Sequence, residues 1–331
     1  MIHRMNTRDC LLQDFMQFRA RGLPVALITL VRSEGGSPRP LGSQMVVAGN
    51  GEYVGHLTGG CAETVIADEA VAALAEGRNR QLRLGAGSPY LDIRLPCGAT
   101  VDLYIDVTVA DGTVEALLAA LEDRRSVALD TPAGAGGHGG HRVVHAVDEL
   151  VQGGHFRRWY HPVRRLLVYG KGPNAHTLAR LGQASDYQVT LYSPDRATRV
   201  AGEQAGVDAR ALVSPSSVAL PPLDAHTAVV LMFHEHDWEP PLLRQLLASD
   251  VFYLGALGSR RTHQQRCDQL ASDGFADRLE RIRGPVGLDI GASNPSEIAI
   301  SILAEMTRDY RRLQVTAPLL QAGEKSVLIE G

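Results

Sequence analysis

The chain has 331 residues, enough for two domains that each bury a core of their own. Its hydrophobic content of 44% and charged content of 21% fit a soluble globular protein, and a net charge of −4 offers no basic surface for nucleic acid. No apolar run approaches membrane-spanning length and MIHRMNTRDC has no signal-type apolar core; Cys10, Cys61, Cys97 and Cys267 form no C-x-x-C pair, so a cytoplasmic protein with reduced thiols is expected.

In chain order, residues 11–22 read as a helix stopped at Gly22, and Val25 to Val31 as a β-rich run. SEGGSPRPLG is a loop, Met45 to Val47 a short strand, and Gly49-Asn50-Gly51 a hairpin-type turn. A strand-like His56-Leu57 meets Thr58-Gly59-Gly60-Cys61, and Ala62 to Glu76 is helical, with Ile66, Ala70, Ala73 and Leu74 on one face and Gly77 as the stop. Leu82 and Leu84 lie on a strand; Asp92 to Leu95 and Val101 to Val107 flank the turn Pro96-Cys97-Gly98-Ala99. Residues 131–141 are Gly-rich, and His138 and His141 there read as part of a solvated loop rather than a metal site. His155 to Pro162 reads as a short strand plus linker. The expected organisation is a mixed α/β N-terminal domain (1–153), a linker (154–163) and a Rossmann-like, doubly wound parallel-sheet domain (164–331).

The second domain opens with the most informative stretch. The apolar run Leu166 to Tyr169 feeds into Gly170-Lys171-Gly172-Pro173-Asn174-Ala175, a helical segment follows, and Val189 to Tyr192 is a second apolar run. That is the opening βαβ of a nucleotide-binding fold. Gly170 is expected to permit the tight turn, Gly172 to let backbone approach a phosphate, and Ala175 to let the helix pack closely, with the helix N-terminus facing the anion. Ser193 stands where an acid would hold a ribose hydroxyl, with Asp195 and Arg196 just beyond. Ala228 to Phe233 and Val251 to Leu254 suit a buried parallel sheet, and Pro285 to Ile290 is a further strand candidate. Asn294 caps a helix over Ile298 to Arg312, with Pro295 in its first turn; from about Val315 the chain reads as a tail or packing arm.

Three clusters carry possible chemistry. At Thr58-Gly59-Gly60-Cys61-Ala62-Glu63, consecutive glycines at a helix start suit either an anion cradle with an acidified Cys61 thiol, or a plain turn over a buried cysteine. At Leu95-Pro96-Cys97-Gly98-Ala99, Cys97 is either a soft ligand for molybdenum or copper, or an inert core thiol. At the strand ends, His234-Glu235-His236-Asp237, the run Gly255 to Arg261 (with Gly258, Arg260 and Arg261) and Asp289-Ile290-Gly291-Ala292 suit a metal site or a phosphate-binding loop.

Taken together these segments resemble the xanthine dehydrogenase accessory protein family, XdhC/CoxI, over roughly residues 10 to 312. EGGSPRPLGSQMVV, GHLTGGCAET and LPCGATVDLYI resemble that family in the first half. LLVYGKGPNA, FHEHDWEPPLLRQLL, FYLGALGSRRTHQQR and VGLDIGASNPSEIAISILAEM do so in the second. The chain departs from the family pattern at Pro173 (commonly His), Ser193 (commonly Asp) and Ala99 (commonly Gly).

The resemblance implies a non-catalytic chaperone that binds the molybdenum cofactor (molybdopterin) and inserts its sulfurated form into a xanthine dehydrogenase-type molybdenum hydroxylase, working with a cysteine desulfurase. It links Cys97 to cofactor and metal binding and aligns Cys61 with the family's Gly-Gly-Cys turn. The phosphate would meet the loop Gly170 to Ala175, with Lys171 and Asn174. A homodimer is the default for a soluble protein of this kind. Two alternatives stand beside this reading. An NAD(P)-dependent oxidoreductase would use Arg196 for a 2′-phosphate, but the chain has no Tyr-x-x-x-Lys or comparable hydride-transfer set. An interaction scaffold with vestigial pockets would use none of these residues chemically.

Overall fold

The computed structural model describes residues 10–36, 39–60, 62–88, 98, 100–132, 140–146, 149–215, 218–233, 237–314 and 319–322. The chain divides into two compact units, one spanning Met1–Pro162 and Ala317–Gly331, the other Val163–Thr316.

The first unit runs α1 (Leu12–Ala20), β1 (Val25–Glu34), β2 (Gln44–Ala48), β3 (Tyr53–Val54), α2 (Glu63–Glu76), β4 (Arg80–Leu84), β5 (Thr100–Asp106), α3 (Asp111–Glu122), β6 (Val127–Pro132), β7 (Arg142–Val144) and β8 (His155–Tyr160). Its larger sheet is antiparallel, ordered β3-β2-β1-β5-β4. Alternation along β1 splits its side chains between two cores, as a pleated strand must. Ala26, Ile28 and Leu30 meet Ile66, Ala70 and Ala73 of α2, while Val25 and Leu27 share a cluster with Phe15 of α1 and Leu117 of α3. The smaller sheet pairs a C-terminal strand, Leu320–Ala322, with β8, then β6, then β7.

The second unit is α/β and doubly wound. Its elements are β9 (Arg165–Gly170), α4 (Gly172–Ala184), β10 (Gln188–Ser193), α5 (Arg196–Gln204), β11 (Asp208–Ala211), β12 (Thr227–Met232), α6 (Glu239–Leu247), β13 (Tyr253–Ala256), α7 (Arg260–Leu270), β14 (Ile282–Arg283) and α8 (Pro295–Gln314). The six strands are parallel and ordered β11-β10-β9-β12-β13-β14, the Rossmann arrangement in which strand order reverses between β9 and β12. Leu166, Val168, Val189 and Val230 pack with Leu178 of α4 and Ile302 of α8. Leu167, Val229 and Leu231 pack on the other face with Leu242 and Leu246 of α6. The small face of α4 sets how closely it lies on the sheet: a Cβ at Gly182 would come within 2.6 Å of Leu166 Cδ2.

Several expectations are corrected. The short strand expected in the linker 154–163 is β8, but it is an interior strand of the smaller sheet rather than part of a connection. Its Arg157 is fully buried and forms a two-pronged pair with Asp130, Nε to Oδ1 at 2.6 Å and Nη2 to Oδ2 at 2.9 Å, which neutralises the charge. The C-terminal strand pairs with β8 and so belongs to the first unit rather than the second. The strand expected at His56-Leu57 lies at Tyr53–Val54, and Gly55, with φ +95°, follows its end. The strand expected at Pro285 to Ile290 is instead Ile282–Arg283. Pro285 has no N–H for a ladder, and the Gly287 N–H donates to Glu305 Oε2 at 2.9 Å instead of to a strand. His141 is buried rather than solvated, its Nε2 2.7 Å from Asp106 Oδ2. The strand expected at Asp92 to Leu95 lies outside the described residues, as does His138.

Candidate functional site

The turn between β9 and α4 is built differently from its motif reading. A Cβ at Gly170 would lie 2.6 Å from Met232 Cβ, so this glycine lets β9 approach the end of β12. Gly172 has φ +79° with nothing within 4 Å of a built Cβ, so this glycine makes the turn. The turn expected at Gly170 is thus made by Gly172, and Gly170 serves strand packing instead. Ala175 is fully buried beside Leu178 and Ala179, which is the packing role its size predicts.

The start of α5 reaches into this turn. The Gly172 N–H donates to Thr198 Oγ1 at 2.8 Å, and the Thr198 hydroxyl donates to Asp195 Oδ2 at 2.6 Å. Asp195 is the N-cap of α5 and also accepts the Thr198 N–H at 2.7 Å. The Thr198 hydroxyl and then its N–H hold the Asp195 carboxyl below the usual carboxylate range. Ser193 is corrected as a ligand contact: it is fully buried, and its Oγ accepts the Asp195 N–H at 3.2 Å.

Above this turn lies a cavity of about 410 Å³ lined by Lys171, Gly172, Pro173, Asn174, Asp195 and Pro295. It stands where chain leaves the C-terminal ends of β9 and β10, the edge at which open α/β sheets bind ligands. The N-terminus of α8 borders it through Pro295 but is already capped. Asn294 Oδ1 accepts the Ser296 and Glu297 N–H groups at 3.1 and 3.0 Å, and Glu297 Oε2 accepts the Ser293 N–H at 2.8 Å.

The remaining sequence candidates lie elsewhere. Arg196 is the exposed first residue of α5, and Arg260 the exposed first residue of α7. Gly258 has φ +143°, and a Cβ there would come within 3.0 Å of Thr262 Cγ2; Asp289 is exposed in the loop before α8. None of these four lines the cavity. Cys61, Cys97, Ala99 and His234 to His236 lie outside the described residues, and among those described no group of three or more His, Cys, Asp or Glu is placed to hold a metal.

Gly59 and Gly60 adopt φ +77° and +100°, but the cradle around them is filled from within. Buried Glu63 accepts the Leu57 N–H at 3.0 Å, the Thr58 N–H at 2.8 Å, the Thr58 hydroxyl at 2.7 Å and the Ala62 N–H at 3.2 Å. Burial pushes its carboxyl up, yet the bonds from Thr58 and neighbouring N–H groups outweigh this and hold it below the usual range. The expectation of an open anion cradle is therefore corrected for the amides of Leu57, Thr58 and Ala62, whose anion is Glu63.

Asp195, Thr198 and Glu63 are the site residues whose roles the sequence does not reveal. Asp195 three places before Thr198 is a readable helix start, but the bond from Gly172 spans 26 residues and has no local signature. The buried pair of Glu239 and Arg266 escapes a sequence reading for the same reason; Arg266 Nε and Nη2 donate to Glu239 Oε2 at 3.0 and 2.9 Å, tying α6 to α7.

Known proteins share both halves of this chain. It matches the XdhC Rossmann domain over residues 166–306 and the XdhC and CoxI family over residues 18–85. It is 34% identical over 289 residues to the molybdenum cofactor insertion chaperone PaoD of Escherichia coli (strain K12), covering 86% of this chain and 83% of that protein. It is 24% identical to a probable xanthine dehydrogenase subunit of Bacillus subtilis (strain 168), covering 93% of this chain and 97% of that one. The crystal structure of a xanthine dehydrogenase from Bacillus halodurans shares the fold, with a TM-score of 0.70 at 21% identity over 93% of this chain and 98% of that chain.

Proposed function

The chain belongs to the XdhC and CoxI family, and on that premise we propose that it is a non-catalytic accessory protein that binds the molybdenum cofactor as cargo and delivers it to a xanthine dehydrogenase-type molybdenum hydroxylase. The observation that carries the reading is the cavity of about 410 Å³ at the end of β9, whose lining includes one lysine. Its size falls in the range of small-molecule sites, roughly 300–1,000 Å³. The cargo is a flat pterin bearing a phosphate. Lys171 supplies a cation for the phosphate and Asn174 an amide beside it, while the rings of Pro173 and Pro295 give apolar wall. The donor set therefore fits such a group.

In this reading Lys171 and Asn174 hold the phosphate end; Cys97 is proposed separately, from the family resemblance, as a thiol that binds molybdenum, since a thiolate is a soft ligand for a metal that accepts sulfur. Cys61, of the Gly-Gly-Cys run in the sequence, is the second candidate thiol. The redox chemistry the cargo supplies is expressed in the client enzyme; this chain's own residues bind, orient and retain. A cysteine desulfurase as sulfur source, a cytoplasmic location and a homodimer complete the proposal. The function of the 34%-identical relative supports it, because that relative is itself a molybdenum cofactor insertion chaperone.

The test is mass spectrometry of ligands released from the purified protein, backed by titration with the isolated cofactor. A pterin at a substantial fraction of one per chain is expected. A nicotinamide nucleotide in its place, or failure to bind the isolated cofactor, would overturn the reading.

A further inference from the structure

We propose that Thr198, fixed by Asp195, is the specificity determinant that closes the Gly170–Ala175 turn to the diphosphate of a dinucleotide and leaves it a site for a single phosphate monoester. A turn that holds a diphosphate does so with N–H groups at the start of its helix, aimed at the ligand. Here two of the first positions of α4 have none to give. The Gly172 N–H is engaged by Thr198 Oγ1 at 2.8 Å, and Pro173 has no N–H. The hydroxyl cannot be displaced at low cost. Thr198 is only 4% exposed, and its hydroxyl is anchored on Asp195 Oδ2 at 2.6 Å. The neighbouring helix start does not compensate, since Asn294 and Glu297 cap α8 from within.

Charge points the same way. Among the described residues lining the cavity there is one cation, Lys171, and one carboxylate, Asp195. One phosphate can sit by Lys171, but a second linked phosphate would be crowded towards Asp195 with the Gly172 amide engaged and none at Pro173. Rejection of a diphosphate depends on this turn alone; only the choice of a pterin as the monoester's body rests on the proposed function.

The test uses the full chain, its Thr198→Val/Pro173→Ala variant and a Thr198→Ser control. Valine keeps the shape of buried Thr198 while releasing the Gly172 N–H, and alanine restores an N–H at 173. NADH is titrated by fluorescence, and inorganic pyrophosphate and inorganic phosphate by calorimetry. The wild-type protein and Thr198→Ser should show no saturable NADH binding in the micromolar range. The double variant should bind pyrophosphate at least about tenfold more tightly than wild type, with a much smaller change for phosphate. Micromolar NADH binding by wild type, or unchanged pyrophosphate affinity in a double variant that melts cooperatively, would overturn the proposal. The wild-type and Thr198→Ser titrations retain that power even where the double variant does not fold. Should the purified protein fail to bind a pterin while the pyrophosphate pattern holds, the cargo assignment falls and the filter stands.

Discussion

At the residue scale, one carboxylate organises the turn ahead of α2. Glu63 accepts four hydrogen bonds from Leu57, Thr58 and Ala62, and it is 2% exposed. Glu63→Gln keeps the size but sets amide hydrogens against donors, so the first unit should lose about 1–3 kcal/mol, the cost of a buried bond left unmade. Denaturant midpoints at neutral pH should show it. The folded carboxyl titrates below its unfolded value, so its contribution is complete above the unfolded value of about 4.3 and is lost as pH falls through the lower folded value. The gap between wild type and Glu63→Gln should therefore be widest near neutrality and narrow below about pH 4. A gap that widens on acidification would show that Glu63 is not held as a carboxylate. Cys97 is the second residue-scale test. Cys97→Ser should reduce retention of the molybdenum cofactor, because a hydroxyl is a harder and less available ligand than a thiolate. Cys10→Ser and Cys267→Ser should change it little; Cys10 packs against the first unit's core, and the Cys267 Sγ lies 3.6 Å from His263 Nε2 on α7. Equal retention in wild type and Cys97→Ser, measured by molybdenum content after gel filtration, would reduce Cys97 to a structural thiol.

At the element scale, α6 and α7 are held together by the Glu239–Arg266 pair, in which Arg266 also donates to the Leu257 carbonyl at 2.8 Å. Both side chains are nearly fully buried, so removing one partner strands a charge. Glu239→Ala should cost about 3–5 kcal/mol in the second unit. The double replacement Glu239→Leu/Arg266→Met should cost much less, since it leaves no buried charge alone. Equal losses in the single and double variants, read from urea unfolding, would contradict this. The same pair illustrates what a sequence reveals. The βαβ opening at Leu166 to Tyr192 and the start of α8 at Asn294-Pro295-Ser296-Glu297 are legible because hydrophobic periodicity and cap chemistry act within a few residues. The strand β8 is legible too, but its interior place is not, because Arg157 can be buried only when Asp130, 27 residues earlier, faces it. Likewise Gly170 and Gly172 are recognisable as the turn glycines, but the packing role of Gly170 is not. Met232, against which Gly170 packs, arrives from another strand, and no local pattern specifies that contact. The edge strand β14 is two residues long, below the length at which alternation carries a signal.

At the scale of the whole molecule, the two units divide the work of the proposed carrier. The second has a cavity at the switch edge of a parallel sheet, where Thr198 engages the Gly172 N–H. The first supplies a turn organised by Glu63 and the segment that includes Cys97. Neither role calls on a nucleophile, a base and an orienting group acting together, so the expected output is transfer rather than turnover. The fold class and family are legible from sequence because motifs such as VGLDIGASNPSEIAISILAEM are long; the hydrogen bonds that shape the β9–α4 turn are not, because they join distant residues. The most direct measurement mixes the cofactor-loaded protein with a cofactor-free xanthine dehydrogenase-type hydroxylase and follows recovered hydroxylase activity against the same amount of free cofactor. A carrier should give more activity per mole of cofactor than free cofactor does, with the widest margin under air, where a bound cofactor is shielded from water and oxygen. Equal or lower recovery from the loaded protein would contradict the insertion role.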